Sequence, residues 1–201
     1  MRRDVGLRCP CGAVRGVVHE VSPGTVNHVA CYCDDCQTYA AFLGTDGILD
    51  AWGGSDIVQV GPARMRIVEG RETLRCVRLS PKGLFRFYAP CCHVPVGNSL
   101  PNLPFVGVPR ALFAVEPSET EAVLGPSPGI HGRFSHGSPP STVHPKIAPM
   151  VAAKTAARIA TWALVARKPS PLFDERGQPI VTPEILTKDR REELRAKAMA
   201  T

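Results

Sequence analysis

Seven of the eight cysteines fall into three tight groups: Cys9-Pro10-Cys11, Cys31-Tyr32-Cys33-Asp34-Asp35-Cys36 and the pair Cys91-Cys92. Neighbouring positions meet the Cα separation of a disulfide poorly. Disulfide frameworks also belong mostly to chains with a secretory leader. The opening MRRDVGLRCPCG has charges but no apolar core, so it does not read as one. Clustered thiols suit a metal instead. Zinc accepts sulfur ligands in a tetrahedron and has no redox chemistry of its own. An iron–sulfur cluster is the rival assignment. It needs four well-placed ligands, and the groups offer two, three and two, so zinc is preferred.

The middle group is the sharpest feature. Cys31, Cys33 and Cys36 can hold one ion from a single short segment and leave a fourth position for water or a substrate thiol, as catalysis requires. A closed structural site would recruit a fourth protein ligand, and spacing alone favours neither. Cys9 and Cys11 offer two ligands for a second ion, with Cys92 or Cys91 as a third and His93 as another candidate. Adjacent residues on extended backbone point in opposite directions, so Cys91 and Cys92 are not expected to serve one site together without an unusual turn. A second centre without metal stays open as well. One zinc ion is therefore expected and a second has a site available. Cys76 sits in an apolar pattern and reads as core. His19 and His28 alternate with apolar residues and read as ordinary hydrogen-bonded histidines.

The chain around these groups reads as short strands and turns, in keeping with 18 glycines and 20 prolines in 201 residues. Strands are expected at 13–21 and 26–32, joined as a hairpin through the SPGT turn. Cys33 and Cys36 open a helix running to Gly44, with Asp34 and Asp35 near its N-terminus. Further strands are expected at 48–52, 56–60, 64–68, 73–79 and 84–88, with a turn at Ser80-Pro81-Lys82-Gly83. The prolines at 95, 101, 104 and 109 suggest an irregular return over 93–109, and 110–116 reads as a last strand. Residues 117–149 read as extended loop. Its GIHGRFSHG stretch and nearby His144 offer His131, Arg133 and His136 as groups that could close over a site, although a merely solvated loop is the more ordinary reading. Helices are expected over 147–167 and 183–200. The fold class is thus mainly β: a β domain over 5–120 with zinc sites, then a Pro/Gly-rich loop and helical extension over 121–201.

The net charge of +6 is modest and spread along the chain, which makes no case for nucleic acid as a partner. No apolar run reaches the length that spans a membrane, and a cytoplasmic location is the default expectation. Neither a phosphate-binding glycine loop nor a nucleophile elbow occurs. Oligomeric state is not readable.

At CPCG, CYCDDC and the late cysteine pair, residues 5–120 resemble the glutathione-dependent formaldehyde-activating enzymes, a family that includes relatives of centromere protein V. That resemblance implies the Mss4-like β fold. It implies that Cys9, Cys11 and Cys92 are structural zinc ligands and that Cys31, Cys33 and Cys36 hold the zinc linked with activity. It also implies a carbon–sulfur lyase-like enzyme joining or separating a thiol such as glutathione and a small aldehyde. In the late motif Ala89 stands where the family places its first cysteine, and His93 where it places glycine; Cys91 could compensate.

Three thiolates leave a zinc centre with net negative charge, which weakens its Lewis acidity. Nearby donors or cations must then offset it. Arg64, Arg66 and the 131–136 loop are the candidates, and no general acid or base is assigned. The alternatives to an enzyme acting on a small thiol or thiol adduct are a non-catalytic zinc scaffold that binds another macromolecule, and an oxidation-sensitive thiol protein.

Overall fold

The computed structural model describes residues 1–45, 47–166 and 168–200. Its elements in chain order are β1 (Arg3–Arg8), β2 (Arg15–Val21), β3 (Asn27–Cys31), α1 (Asp34–Leu43), β4 (Ser55–Val60), β5 (Met65–Glu69), β6 (Arg75–Arg78), β7 (Phe85–Ala89), β8 (Val94–Ser99) and β9 (Val106–Pro109). There follow α2 (Thr120–Leu124), β10 (Gly129–Ile130), α3 (Pro149–Val165), β11 (Glu184–Ile185) and α4 (Lys188–Met199).

Two sheets form. A three-stranded sheet runs β1-β2-β5, and an eight-stranded sheet runs β10-β3-β4-β9-β8-β7-β6-β11. The strands inside the larger sheet pair antiparallel, while β10 joins β3 and β11 joins β6 in parallel. Alternating apolar residues explain the burial. Val5 and Leu7 of β1 point inward while their neighbours are exposed. These inner faces share one core with Val58 and Val60 of β4, Phe87 of β7 and Val106 and Val108 of β9. A second cluster forms where Tyr39 and Leu43 of α1 meet Val77 of β6, Leu186 just after β11, and Leu194 of α4.

The architecture is therefore mixed α/β, with helices that include the C-terminal ones, rather than mainly β. The expected hairpin of 13–21 with 26–32 does not form. β2 lies between β1 and β5, and β3 lies between β10 and β4. Ser22–Thr25 does turn, with Thr25 N–H donating to the Ser22 carbonyl at 2.9 Å, but it carries the chain from one sheet to the other. Both strands present an apolar face that more than one neighbour can pair with, so the turn alone could not fix the partner.

Residues 48–52 form a turn instead of a strand, because the Asp50 carboxylate accepts the backbone N–H groups of Trp52 and Gly54 at 2.9 and 2.8 Å. Conversely, 93–109 holds two strands rather than an irregular return. Pro95 sits at the register shift between β7 and β8, Pro101 and Pro104 lie in the connection, and Pro109 ends β9. Residues 110–116 form a single 3-10 turn followed by one isolated bridge, Leu7 to Phe113. The 117–149 segment contains α2 and β10. The helix expected over 147–167 runs Pro149–Val165, and Arg167 lies outside the described residues.

The two long C-terminal helices are anchored differently. α4 lies along α1, with ion pairs Arg191–Asp35 at 3.1 Å and Arg195–Asp34. α3 is fastened at its C-terminal end. Trp162 is 2% exposed there and its indole N–H donates to the Thr25 carbonyl. Gly61 permits this approach, since a Cβ at that position would lie 2.9 Å from Trp162 and 2.7 Å from Ala166. Among the described residues no helix is long and apolar enough to cross a membrane.

Candidate metal centres

The turn after β1 is built to present sulfur. Gly12 takes a left-handed φ of 79° and its N–H donates to the Cys9 carbonyl at 2.9 Å, which folds the chain back. Val14 N–H then points at Cys9 Sγ, 3.3 Å away. On the other side, the turn between β7 and β8 ends at His93, whose φ is 53°. This is the unusual turn that extended backbone would not supply. It aims both Cys91 and Cys92 at the first pair, and Cys92 Sγ accepts the Cys11 N–H at 3.3 Å.

All four sulfur atoms of Cys9, Cys11, Cys91 and Cys92 lie within 4.8 Å of one another. The Cys9–Cys11 and Cys9–Cys91 separations are 3.6 and 3.9 Å. A zinc tetrahedron with bonds of about 2.3 Å has edges of about 3.8 Å, so this donor set fits zinc. Cys11 is held down to about 6, first by a hydrogen bond from the Ala13 backbone and then by its cysteine neighbours, while Cys91 is pushed up to about 12 by burial and those same thiols. Cys91 and Cys92 thus both face Cys9 and Cys11, the arrangement for which the sequence required an unusual turn. His93 points elsewhere, its Nδ1 donating to the Leu43 carbonyl at 3.1 Å.

The second group forms where β3 runs into α1. Cys31 ends the strand, Cys33 is the residue before the helix and Cys36 lies in its first turn. Their sulfur atoms also lie within 4.8 Å of one another. Crowding separates their ionisation: Cys31 is pushed well up by Cys33 and Cys36, whereas Cys36 is held well down by Cys31 and Cys33 with help from Arg86. Three thiols this close do not all ionise without a cation among them, which is the chemistry of a metal site. Among the described residues this group has three members.

The three-cysteine group opens on a cavity of about 550 Å³. Alternate residues of β3 and β4 make its floor, including Asn27, Val29 and Ile57, and Val151, Thr155 and Ile159 of α3 make its roof. The Asn27 amide ties floor to roof, donating to Gln59 and to Thr155 Oγ1 at 2.9 Å each. His131, whose φ is 60°, stands on the same wall.

A profile of the family of unknown function DUF6151 matches residues 1–184. The chain belongs to that family. The DUF6151 match takes in both cysteine groups, the cavity floor and all of α3. No curated protein matches the chain. Among solved structures, the DUF6151 chain is similar to a crystal structure of a Rhodobacter sphaeroides protein, with 21% identity and a TM-score of 0.43 over 59% of this chain and 96% of that one.

Other residues singled out in the sequence take structural places. Arg64 pairs with Glu20 at 2.9 Å, and Arg66 lies on β5 of the small sheet, so neither serves the three-cysteine group. His136 donates to the buried Gln37 side chain at 2.7 Å, and Gln37 in turn donates to the Tyr32 and Phe134 carbonyls. The 131–136 loop is thereby pinned to α1 rather than swinging over it. His144 accepts the Lys146 N–H, His19 pairs with Asp4, and His28 pairs with Asp56. Cys76 is buried in the core, and burial pushes its thiol up to about 12.

The residue that sequence reasoning missed is Arg86. It is 3% exposed, its charge faces Cys36, and it lies over the Tyr39 ring at 5.1 Å. Its signal was visible in FRFYA: one arginine inside a strand otherwise apolar on both faces. A cation does not enter such a place without an anion to meet it.

Proposed function

We propose that this protein binds two zinc ions for different purposes: Cys9, Cys11, Cys91 and Cys92 close a structural centre, and Cys31, Cys33 and Cys36 form a centre with a position left for a ligand. The observation that carries the reading is the convergence of three sulfurs, and no fourth among the described residues, on the wall of a cavity. A structural centre normally closes with four protein ligands, while a working one keeps a position open. The same protein thus carries an internal comparison between the two types.

The division at about residue 120 has a functional sense in this reading. The first part carries every cysteine, in keeping with an Mss4-like zinc domain, and the second supplies the cavity roof. Reduced thiols at both centres suit a cytoplasmic setting.

Metal analysis of the purified, reduced protein tests the proposal. Two zinc ions per chain are expected, with Cys33→Ala and Cys91→Ala each removing one. Unchanged stoichiometry in Cys33→Ala would refute the open centre.

A second reading, a carbon–sulfur lyase-like enzyme, draws on the open position together with Arg86. Zinc bound there would supply the Lewis acidity that favours thiolate over thiol. Arg86 would offset the charge of the three cysteines, α1 and β3 would hold their sulfurs on one side, and the roof would keep water from a thiol–aldehyde adduct. Turnover of glutathione with formaldehyde, lost in Cys33→Ala, is the expected result. Stoichiometric zinc with no thiol-dependent turnover across small aldehydes would leave a non-catalytic zinc scaffold.

A further inference from the structure

A helix laid on a sheet ordinarily packs to the density of a crystal, with gaps no larger than a water molecule. α3 does not. It is tight at Trp162, yet between Val151, Ile159 and the sheet it leaves about 550 Å³ of space. That volume is in the range of small-molecule sites. Its walls are aliphatic and aromatic, with Val29, Ile57, Phe105 and Ile130 facing Ile147, Val151 and Ile159.

The charges on the wall are few. Besides the cysteines, the ionisable residues among those lining it are Asp35, Arg86 and His131. Asp35 is already paired with Arg191, and Arg86 already faces Cys36. A ligand carrying several carboxylates would bury them here with little to meet them, at high cost. Two of the lining residues each hold a buried side-chain atom without a hydrogen-bond partner, Arg86 Nη1 and Asn98 Oδ1. One donor and one acceptor at the edge of the cavity are therefore left unmet.

We propose that the cavity selects a thiol with an apolar body, an aliphatic or aromatic thiol bearing at most one further hydrogen-bonding group, in preference to a charged peptide thiol such as glutathione. The proposal rests on the open three-cysteine centre. The ligand's sulfur enters as thiolate, its proton passing to water, and sits beside Cys31, Cys33 and Cys36 within reach of Arg86. Its hydrocarbon fills the space under α3. The helix therefore sets specificity, although it carries no cysteine.

The test uses the full chain loaded with cobalt in a thiol-free reductant, titrated with ethanethiol, butanethiol, hexanethiol and glutathione. The thiolate-to-cobalt absorption is the readout. Affinity is expected to rise about fourfold per added methylene, with glutathione binding more weakly than butanethiol. Val151→Asp, at a half-buried position of α3, should weaken hexanethiol about tenfold or more and flatten the chain-length series, while leaving the unliganded cobalt spectrum in place. A flat series in the parent protein, glutathione binding as tightly as hexanethiol, or a series unchanged by Val151→Asp would each overturn the proposal and leave the centre standing. A cobalt spectrum identical with and without Cys33→Ala would instead overturn the centre, and the proposal with it.

Discussion

The guanidinium of Arg86 lies 5.1 Å from the centroid of the Tyr39 ring, so β7 delivers a buried cation to the helix that carries Cys36. Burial alone would disfavour that charge, but the thiolate of Cys36 and its neighbours hold it in place. Replacing Arg86 with Met removes the cation from three crowded sulfurs. Metal affinity at this centre should fall about 10–100-fold, the usual cost of losing a group that supports a ligand. Chelator competition on Arg86→Met measures it, and Arg86→Lys, which keeps charge but not the planar fork, should fall between. Equal affinities in all three would disprove the role.

The four-cysteine centre joins the turn after β1 to the turn between β7 and β8, which are far apart in sequence. Stripping its metal should lower the melting temperature by several degrees, because binding energy at a structural centre is folding energy. Cys91→Ser should reproduce that loss. His93→Asn, which tolerates the left-handed φ of 53°, should keep both ions and lose only the bond to Leu43, worth about 1 kcal/mol. If His93→Asn lost an ion, the four-sulfur assignment would be wrong.

His28 is 5% exposed, with Nε2 2.6 Å from Asp56 and Nδ1 2.9 Å from the Gly125 carbonyl. Burial lowers its pKa, yet the bond to Asp56, the Gly125 carbonyl and the Asp56 charge together raise it above the ordinary value. A raised folded pKa gives stability that is complete below the unfolded value of about 6.5 and fades as pH climbs through the folded one. His28→Asn should cost about 1–2 kcal/mol at pH 6, with Asp56 half-exposed and partly screened. The deficit should shrink by pH 9. Urea titrations at the two pH values decide the matter; a deficit that grew with pH would reverse the sign of the argument.

Gly61 underlies the attachment of α3. Gly61→Ala should cost about 1–3 kcal/mol, the usual effect of overpacking, and should move Trp162 into a wetter setting. A red shift in tryptophan emission, absent in Trp162→Phe, would show it.

How far the sequence revealed this site depended on range. The Cys33–Cys36 spacing and the adjacent helix are local, so they could be read directly. The convergence of Cys9, Cys11, Cys91 and Cys92 depends on a left-handed residue at His93, which no turn signal in Pro90-Cys91-Cys92-His93 announces. Arg86 was legible as an anomaly in FRFYA but not as a partner of Cys36, because strand order decides what faces α1. The prolines over 93–109 misled for a physical reason: each sits at an end, a shift or a connection, where a sheet tolerates it.

The short parallel strands β10 and β11 have a consequence beyond their length. One lies at each margin of the eight-stranded sheet, and both come from the chain beyond residue 120. A fragment ending there would bare the backbone donors and acceptors of β3 and β6, inviting strand-to-strand stacking between copies. The late segment thus acts as a selvedge on woven cloth, keeping a broad sheet from fraying into its neighbours.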